Sequence, residues 1–273
     1  MNTDQITLPK LDDSTKISED QINEFREKGH TLTYELLSTD EVAAYHKVIS
    51  TAAAKFNTEN RKMEERDTYG KAFLQIKNLW RHDEKVRKMV MSKRLAQVAA
   101  DLLGVNNVRI YHDQALFKEP GGGPTPWHQD QYYWPLDTDK TITMWMPLVD
   151  INVDMGMLTF ASGSHKKGSV FNYEISDRSE QEFDKYVWKN NFEISRAKTM
   201  KAGDATWHLG FTIHNAPGNK SDVMREVFTI IYMADDAKIT EPKSSWQQED
   251  LKVWLMNKPV GTIADSELNP LVL

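Results

Sequence analysis

The pattern of the chain changes at Gly104, and this change constrains the fold more than any other feature of the sequence. Before Gly104, apolar residues recur at helical spacing in three segments. Capping boxes at Ser18–Gln21 and Ser38–Glu41 open the first two segments, and the third runs from about 83 to 103. The N-terminal part, about 18–104, is therefore predicted to be helical.

After Gly104 the chain reads as short β-strands separated by turn residues. The predicted strands cover residues 108–117, 125–133, 141–149, 157–160, 205–208 and 226–233. Short strands of this kind indicate a β-sandwich or barrel, and helices that precede them are expected to pack on its outside. We predict a mainly β fold with flanking helices, as a single domain over 1–273 whose β core spans about 105–235.

Two segments of this domain stand apart from the β core. Residues 171–199 are polar with scattered aromatics, and they are predicted to form an inserted loop or short helix that can act as a lid. The chain from about Ala237 is predicted to be irregular, with Trp246 and Trp254 as anchors.

Charge and cysteine content narrow the classes of function. The 34 Lys and Arg against 40 Asp and Glu give a net charge of −6 with no basic tract, which argues against a nucleic-acid partner. Residues 1–16 lack the apolar core of a secretory signal, and no run approaches the roughly 20 apolar residues of a membrane span. A cytoplasmic location is therefore expected. Because the chain has no cysteine, any metal site must use His, Asp or Glu.

His128 and Asp130 form the strongest chemical motif. Because side chains alternate along a strand, the two would point to the same side. With His214 from a later β segment, they would form the two-histidine, one-carboxylate set typical of non-haem Fe(II) oxygenases. On the spacing alone, an ordinary hydrogen-bonded His–Asp pair is the more common explanation.

Arg225 strengthens the metal interpretation. It opens the apolar run 227–231, and a guanidinium that enters a buried strand needs an anionic partner. A metal with open positions and a carboxylate-binding arginine in one barrel would together hold a dicarboxylate such as 2-oxoglutarate. The alternative is a salt bridge from Arg225 to an Asp or Glu of the protein.

Over roughly residues 20–235, the order, spacing and type of the motifs resemble those of the phytanoyl-CoA dioxygenase family. The matching segments are Trp127–Asp130, Thr143–Leu148, Gly156–Leu158, Gly163–Lys166, Gly203–Asp204, His214, Asn219 and Arg225. Members of this family are Fe(II)- and 2-oxoglutarate-dependent oxygenases with a double-stranded β-helix, or jelly-roll, fold.

The resemblance implies roles for the matched residues. His128, Asp130 and His214 would bind Fe(II), and Arg225 would bind the distal carboxylate of 2-oxoglutarate. Related halogenases have a small residue in place of the carboxylate ligand. The presence of Asp130 therefore favours hydroxylation over halogenation.

Further contacts to 2-oxoglutarate are implied by position. Gln114 and Trp145 fall where the family contacts the co-substrate. Some members carry a serine two residues after the second histidine ligand, whereas this chain has Ala216. The hydrogen bond that this serine makes to 2-oxoglutarate would then be either absent or supplied by Thr143 or Gln114.

Aromatic residues and two other histidines lie close to these motifs in the sequence. Trp134, and with it Tyr132, is expected to contact the substrate, because the ectoine hydroxylase branch places an aromatic residue near the substrate at this offset. Ordinary core packing is the alternative. His208 is the rival of His214 as a metal ligand, and His112 either faces the barrel or is a satisfied core residue.

The expected activity is the hydroxylation of an unactivated C–H bond of a small molecule, with O2 consumed and succinate and CO2 released. Ascorbate would serve as a supporting reductant. One alternative is a cupin-like isomerase or hydrolase that uses the same metal ligands without 2-oxoglutarate. Another is a non-catalytic jelly-roll that binds a ligand or partner. Substrate identity, desaturation or ring closure in place of hydroxylation, and oligomeric state stay open.

Overall fold

The computed structural model describes residues 7–273, so the first six residues of the predicted domain lie outside it. Its α-helices are α1 (Glu19–Lys28), α2 (Thr39–Phe56), α3 (Thr68–Ala72), α4 (Glu84–Val90), α5 (Lys93–Leu103), α6 (Asp177–Lys189) and α7 (Ser245–Val253). Its strands are β1 (His30–Thr33), β2 (Leu74–Lys77), β3 (Val108–Lys118), β4 (Thr125–His128), β5 (Thr141–Pro147), β6 (Ile151–Asn152), β7 (Thr159–Ser162), β8 (Glu193–Arg196), β9 (Thr199–Met200), β10 (Ala205–Leu209), β11 (His214–Ala216) and β12 (Arg225–Ala234).

Most of these strands belong to two antiparallel sheets. The larger sheet has six strands in the order β1-β10-β5-β12-β3-β2, and the smaller has four in the order β4-β11-β7-β8. Strands β6 and β9 pair with each other. Side chains from both large sheets line one cavity, which is the arrangement of the predicted jelly-roll.

The N-terminal helices pack on the larger sheet, as expected for helices outside a β core. Leu95, Val98 and Leu102 of α5 join one apolar cluster with Ile110 of β3 and Phe228 of β12. Their spacing of three and four residues places all three leucine and valine side chains on one face of the helix. No helix within residues 7–273 combines the length and the apolar composition that crossing a bilayer requires.

Several predicted elements have different boundaries in the structure. Segment 83–103 is two helices, because the Ser92 hydroxyl caps a new N-terminus by accepting a hydrogen bond from Leu95 N (3.2 Å). The strand predicted over 125–133 ends at His128 and continues as a 3-10 helix. The edge strands β1 and β2 lie in the region predicted to be helical, since four residues are too few to show alternation.

The insertion and the C-terminal segment are more regular than predicted. Within 171–199, α6 packs Phe183 and Val187 against Trp127, so this helix is anchored beside β4. Helix α7 forms in the segment predicted to be irregular. Ser244 caps it by accepting a hydrogen bond from Gln247 N (3.2 Å).

Candidate active site

The three predicted metal ligands meet at the ends of two paired strands. His128 is the last residue of β4, His214 is the first of β11, and the two are register partners. Asp130 begins the 3-10 helix Asp130–Tyr133. The turn after β4, rather than alternation along a strand, therefore brings the carboxylate to the histidines.

The ligand atoms lie close enough to share one ion. His128 Nε2 is 3.4 Å from Asp130 Oδ1, and His214 Nε2 is 3.7 Å from the same oxygen. One donor atom from each residue lies within 4.8 Å of the other two. Three donors so arranged can occupy one face of an octahedral ion and leave the opposite positions open.

The hydrogen bonds of both histidines leave the nitrogen that faces the carboxylate free for a metal. Nδ1 of His128 lies 2.8 Å from Pro126 O, and Nδ1 of His214 lies 2.9 Å from Thr212 O. Because a carbonyl only accepts, each Nδ1 carries the proton and each Nε2 presents a lone pair. Burial and the neighbouring imidazoles hold the pKa of His214 well below its ordinary value, so the ring is neutral. These residues fit a divalent metal ion.

Two further side chains hold the carboxylate of Asp130. Thr143 Oγ1 donates to Oδ2 (3.0 Å), and His208 Nε2 lies 3.2 Å from the same oxygen. His208 therefore directs its Nε2–H at the carboxylate, where it orients the ligand. The hydroxyl of Thr143, which the sequence assigned to the co-substrate, lines the cavity but is already bonded to Asp130.

The cavity that contains this site has a volume of about 270 Å³. Its wall extends along β3 and β12, where Lys118 pairs with Arg225 and His112 pairs with Ile231. Six residues of strand separate these two pairs, a distance of about 20 Å at the usual rise per residue. We call one end the Arg225 end and the other, which contains Lys77, His112, Tyr133, Trp134 and Asp250, the distal chamber.

Arg225 is a buried cation without a carboxylate partner within residues 7–273. Its side chain is 2% exposed, and its guanidinium donates to Gly156 O (2.8 Å) and Leu116 O (3.3 Å). Among the described residues, Nε has no hydrogen-bond partner, and the guanidinium lies 5.3 Å from the centre of the Trp145 ring. Burial lowers the pKa of Arg225 to about 9. A buried charge in this state calls for an anionic ligand, rather than the protein salt bridge considered as the alternative.

The other residues assigned to the co-substrate also line the cavity. Gln114 and Trp145 face it from β3 and β5. Gln75 Nε2 donates to Gln114 Oε1 (2.5 Å), which fixes the orientation of the Gln114 amide and leaves its own N–H groups available. Ala216, at the position of the family's serine, contributes only a methyl group to the wall.

The 3-10 helix decides which aromatic residues reach the cavity. Trp134 lines it and is 5% exposed. Tyr133, rather than the predicted Tyr132, provides the neighbouring part of the wall, because successive side chains turn by about 120° in a 3-10 helix instead of alternating. The Tyr133 hydroxyl accepts a hydrogen bond from Ile175 N (2.9 Å) of the insertion.

The sequence interpretation missed the residues that close the distal chamber. Lys77 comes from β2, Asp250 and Trp246 from α7, and Glu174 from the insertion. Trp246 Nε1 donates to Glu174, which joins the insertion to α7. The Ser244–Gln247 capping pattern could have revealed the helix, but no local pattern shows that it reaches the cavity.

Comparison with curated proteins finds relatives over most of the chain. A "probable alpha-ketoglutarate-dependent hypophosphite dioxygenase" of Stutzerimonas stutzeri is 25% identical over 228 residues, which is 80% of this chain and 79% of that protein. A phytanoyl-CoA dioxygenase domain-containing protein 1 homolog of Caenorhabditis elegans is 24% identical over 176 residues, or 61% of this chain and 60% of its own.

Solved structures share the fold. The non-heme alpha-ketoglutarate-dependent carbocyclase SnoK from nogalamycin biosynthesis superposes with a TM-score of 0.78 at 25% identity, covering 94% of this chain and 97% of its own. EctD from S. alaskensis, solved with 2-oxoglutarate and 5-hydroxyectoine, gives 0.68 at 20% identity, covering 88% and 89%. These likenesses support the double-stranded β-helix assigned from the sheets.

A protein-family model matches the part of the chain that contains the site. The model described as phytanoyl-CoA dioxygenase (PhyH) matches residues 25–227. This span contains the His128–Asp130–His214 cluster, Arg225 and most strands of both large sheets. The chain therefore belongs to the phytanoyl-CoA dioxygenase family.

Proposed function

We propose that this protein is an Fe(II)- and 2-oxoglutarate-dependent oxygenase that hydroxylates an unactivated C–H bond of a small organic molecule. One observation carries the proposal: a His–Asp–His cluster lies in the same cavity as a buried arginine that has no carboxylate partner in the described part of the chain. In the balanced reaction, the substrate, O2 and 2-oxoglutarate give an alcohol, succinate and CO2. One oxygen atom enters the alcohol and the other enters succinate.

His128, Asp130 and His214 would hold the iron. When bound, the ferrous ion supplies the activation of O2 that side chains alone do not provide. The chain's own contribution is to hold both imidazoles through Nδ1 so that Nε2 faces the metal position, and to fix the carboxylate through Thr143 and His208.

Arg225 would bind the distal carboxylate of 2-oxoglutarate. A guanidinium buried among apolar groups forms a stronger ion pair than one in water, and its free Nε offers a further donor. Trp145, Leu158 and Ala216 line this end and exclude water from the pair. Gln114 would add an amide donor along the same wall.

The unpaired guanidinium favours this reaction over the alternatives. An isomerase or hydrolase with the same metal ligands has no need of a second anion site in the cavity, and a non-catalytic jelly-roll has no need of either. Asp130 fills the position that is vacated for a halide in halogenases, so hydroxylation is the proposed outcome. A small molecule is the proposed partner, and the cytoplasmic location stays a prediction from the sequence.

The proposal is tested by supplying Fe(II), 2-oxoglutarate and ascorbate with a library of small metabolites. We expect succinate release that depends on one class of compound, O2 consumption in proportion, and a product heavier by one oxygen atom. His82→Ala, at an exposed position outside the cavity, serves as the control for loss of a histidine and should retain activity. Conversion of a compound without succinate release would contradict the proposal and favour the isomerase or hydrolase.

A further inference from the structure

The distal chamber contains a partly buried lysine and a buried aspartate that are not paired with each other. Lys77 enters its wall from β2 and Asp250 enters from α7. Asp250 is 7% exposed and accepts a hydrogen bond from Tyr111 Oη (2.7 Å), while Lys77 Nζ lies 5.6 Å from the centre of the Trp254 ring. Neither group belongs to a salt bridge within 4.0 Å in the part of the chain that the structure describes.

The two charges influence each other across the chamber. Burial lowers the pKa of Lys77, and Asp250 partly offsets this effect. Burial likewise raises the pKa of Asp250 to about 7, partly offset by Tyr111 and Lys77. The protein therefore keeps both groups in the chamber wall at a cost in stability, without closing the ion pair that would reduce it.

A β-bulge builds this wall. The pairing of β3 with β12 shifts by one residue at Tyr111, and the rings of Tyr111 and His112 lie side by side with their centres 5.2 Å apart. Tyr111 holds the carboxylate of Asp250, and His112 lines the cavity. His112 is 4% exposed, and its Nδ1 is buried without a well-formed hydrogen bond. Lys77, Asp250 and His112 thus line the same space.

The volume limits what can occupy that space. The cavity of about 270 Å³ has to hold 2-oxoglutarate at the Arg225 end as well as the substrate. Pockets that bind drug-sized ligands run from roughly 300 to 1,000 Å³. The enclosed space thus favours a small substrate that is recognised through the polar groups of the chamber wall.

Charge complementarity identifies the class. A small anion would satisfy Lys77 but leave Asp250 unpaired and repelling it, and a small cation would do the reverse. Building on the proposed oxygenase function, we propose that the substrate is a small zwitterion, whose ammonium binds Asp250 and whose carboxylate or other oxyanion binds Lys77. His112 donates or accepts one further hydrogen bond, and Trp134 and Tyr133 form the apolar walls.

The first arm of the test changes the ligand and leaves the protein intact. The wild-type protein is loaded with Ni(II) in place of iron, saturated with 2-oxoglutarate, and titrated calorimetrically with a panel of free amino acids and aminoalkylphosphonates. We expect at least one to bind. For that compound, the analogue without the amine and the analogue without the oxyanion should each bind about tenfold more weakly or worse.

The second arm changes the protein. Lys77→Met should weaken binding of the zwitterion about tenfold. The variant should then bind the zwitterion no more tightly than the amine analogue, which lacks the oxyanion. Asp250→Asn should likewise weaken binding of the zwitterion, to the affinity of the acid analogue, which lacks the amine. Glu267→Gln is the matched control, because it removes an exposed carboxylate of the C-terminal segment that does not line the cavity. It should leave all three affinities unchanged.

The outcomes separate this proposal from the oxygenase assignment. If 2-oxoglutarate fails to bind the metal-loaded wild type, the proposed function is wrong. If 2-oxoglutarate binds but no zwitterion does, or if the singly charged analogues bind equally well, only the substrate class is wrong. A Lys77→Met variant that loses affinity for 2-oxoglutarate instead of the zwitterion would assign Lys77 to the co-substrate and also overturn the proposal.

Discussion

The two ends of the cavity use buried charge in different structural settings. At the Arg225 end, the cation belongs to a central strand of the larger sheet and is held by backbone carbonyls of neighbouring segments. In the distal chamber, Lys77 comes from an edge strand, Asp250 from the last helix, and Glu174 from the insertion. The first end is part of the barrel, whereas the second is assembled around it.

This difference suits the two ligands that we propose. A co-substrate used throughout a family is best bound by the strands that define the fold, whose geometry tolerates little change. A substrate that differs among members is best bound by segments that can vary without disturbing the barrel.

The largest expected loss of activity follows from substitution of a metal ligand, between the two ends of the cavity. Asp130→Ala should abolish succinate release and reduce metal binding below detection, because it removes an anionic ligand. His208→Ala should retain activity but bind metal about 10- to 100-fold more weakly, as expected when a residue that orients a ligand is lost. Metal titration followed by turnover measures both. Equal loss in the two variants would instead assign His208 to the metal.

The next effect isolates the Arg225 end. Arg225→Met should raise the 2-oxoglutarate concentration needed for half-maximal turnover by about 100-fold, because about 3 kcal/mol of charge-assisted hydrogen bonding is lost. Metal binding should stay close to wild type, since Arg225 makes no contact with the three ligands. A titration curve that superposes on the wild-type curve would remove 2-oxoglutarate from this end of the cavity.

The Asp250 carboxylate of the distal chamber should make the free energy of unfolding depend on pH. The pKa of Asp250 is raised to about 7, whereas an unfolded Asp titrates near pH 4. Between about pH 4 and 7 the folded protein binds the extra proton, so this group lowers stability as pH rises, by up to about 1.4 kcal/mol per pH unit. Asp250→Asn should lack this contribution.

Urea unfolding of both proteins measures this effect. The unfolding free energy of Asp250→Asn relative to wild type should increase from about pH 4 to pH 7 and then level off. Glu267→Gln, at an exposed position of the same C-terminal segment, should show no such trend. A constant difference across this range would mean that the Asp250 carboxylate is compensated in the folded protein.

The smallest effect concerns the contact between the insertion and α7. Trp246→Phe keeps an aromatic ring but removes the N–H that donates to Glu174. The free energy of local opening near residue 174 should fall by about 1 kcal/mol, so amide hydrogens there should exchange faster. Trp188→Phe is the matched control, because the exposed Trp188 indole donates to Asp184 within α6, away from the cavity. Unchanged exchange near residue 174 would show that this contact does not hold the insertion.

Much of the barrel and of its chemistry follows from local sequence. The strands that include Val108–Lys118 and Arg225–Ala234 are long enough to show their β character directly. The order of His128, Asp130, His214 and Arg225, together with the resemblance to the phytanoyl-CoA dioxygenase family, predicts a cluster that the structure brings together in one cavity. Short edge strands such as β1 and β2 escaped prediction because their pairing partners are distant in sequence.

By itself, the sequence determined the fold class, the set of candidate metal ligands and the need of Arg225 for an anion. Residue type and periodicity indicated a β core and a buried cation, and the resemblance of the motifs to a family implied the jelly-roll and the ligand set. Only the tertiary structure decided that Tyr133 rather than Tyr132 faces the cavity, and that His208 orients Asp130. It also placed Lys77 and Asp250 in one chamber, although 173 positions separate them in the sequence. The physical reason is that burial and charge pairing are set by contacts between distant segments, which no local pattern encodes.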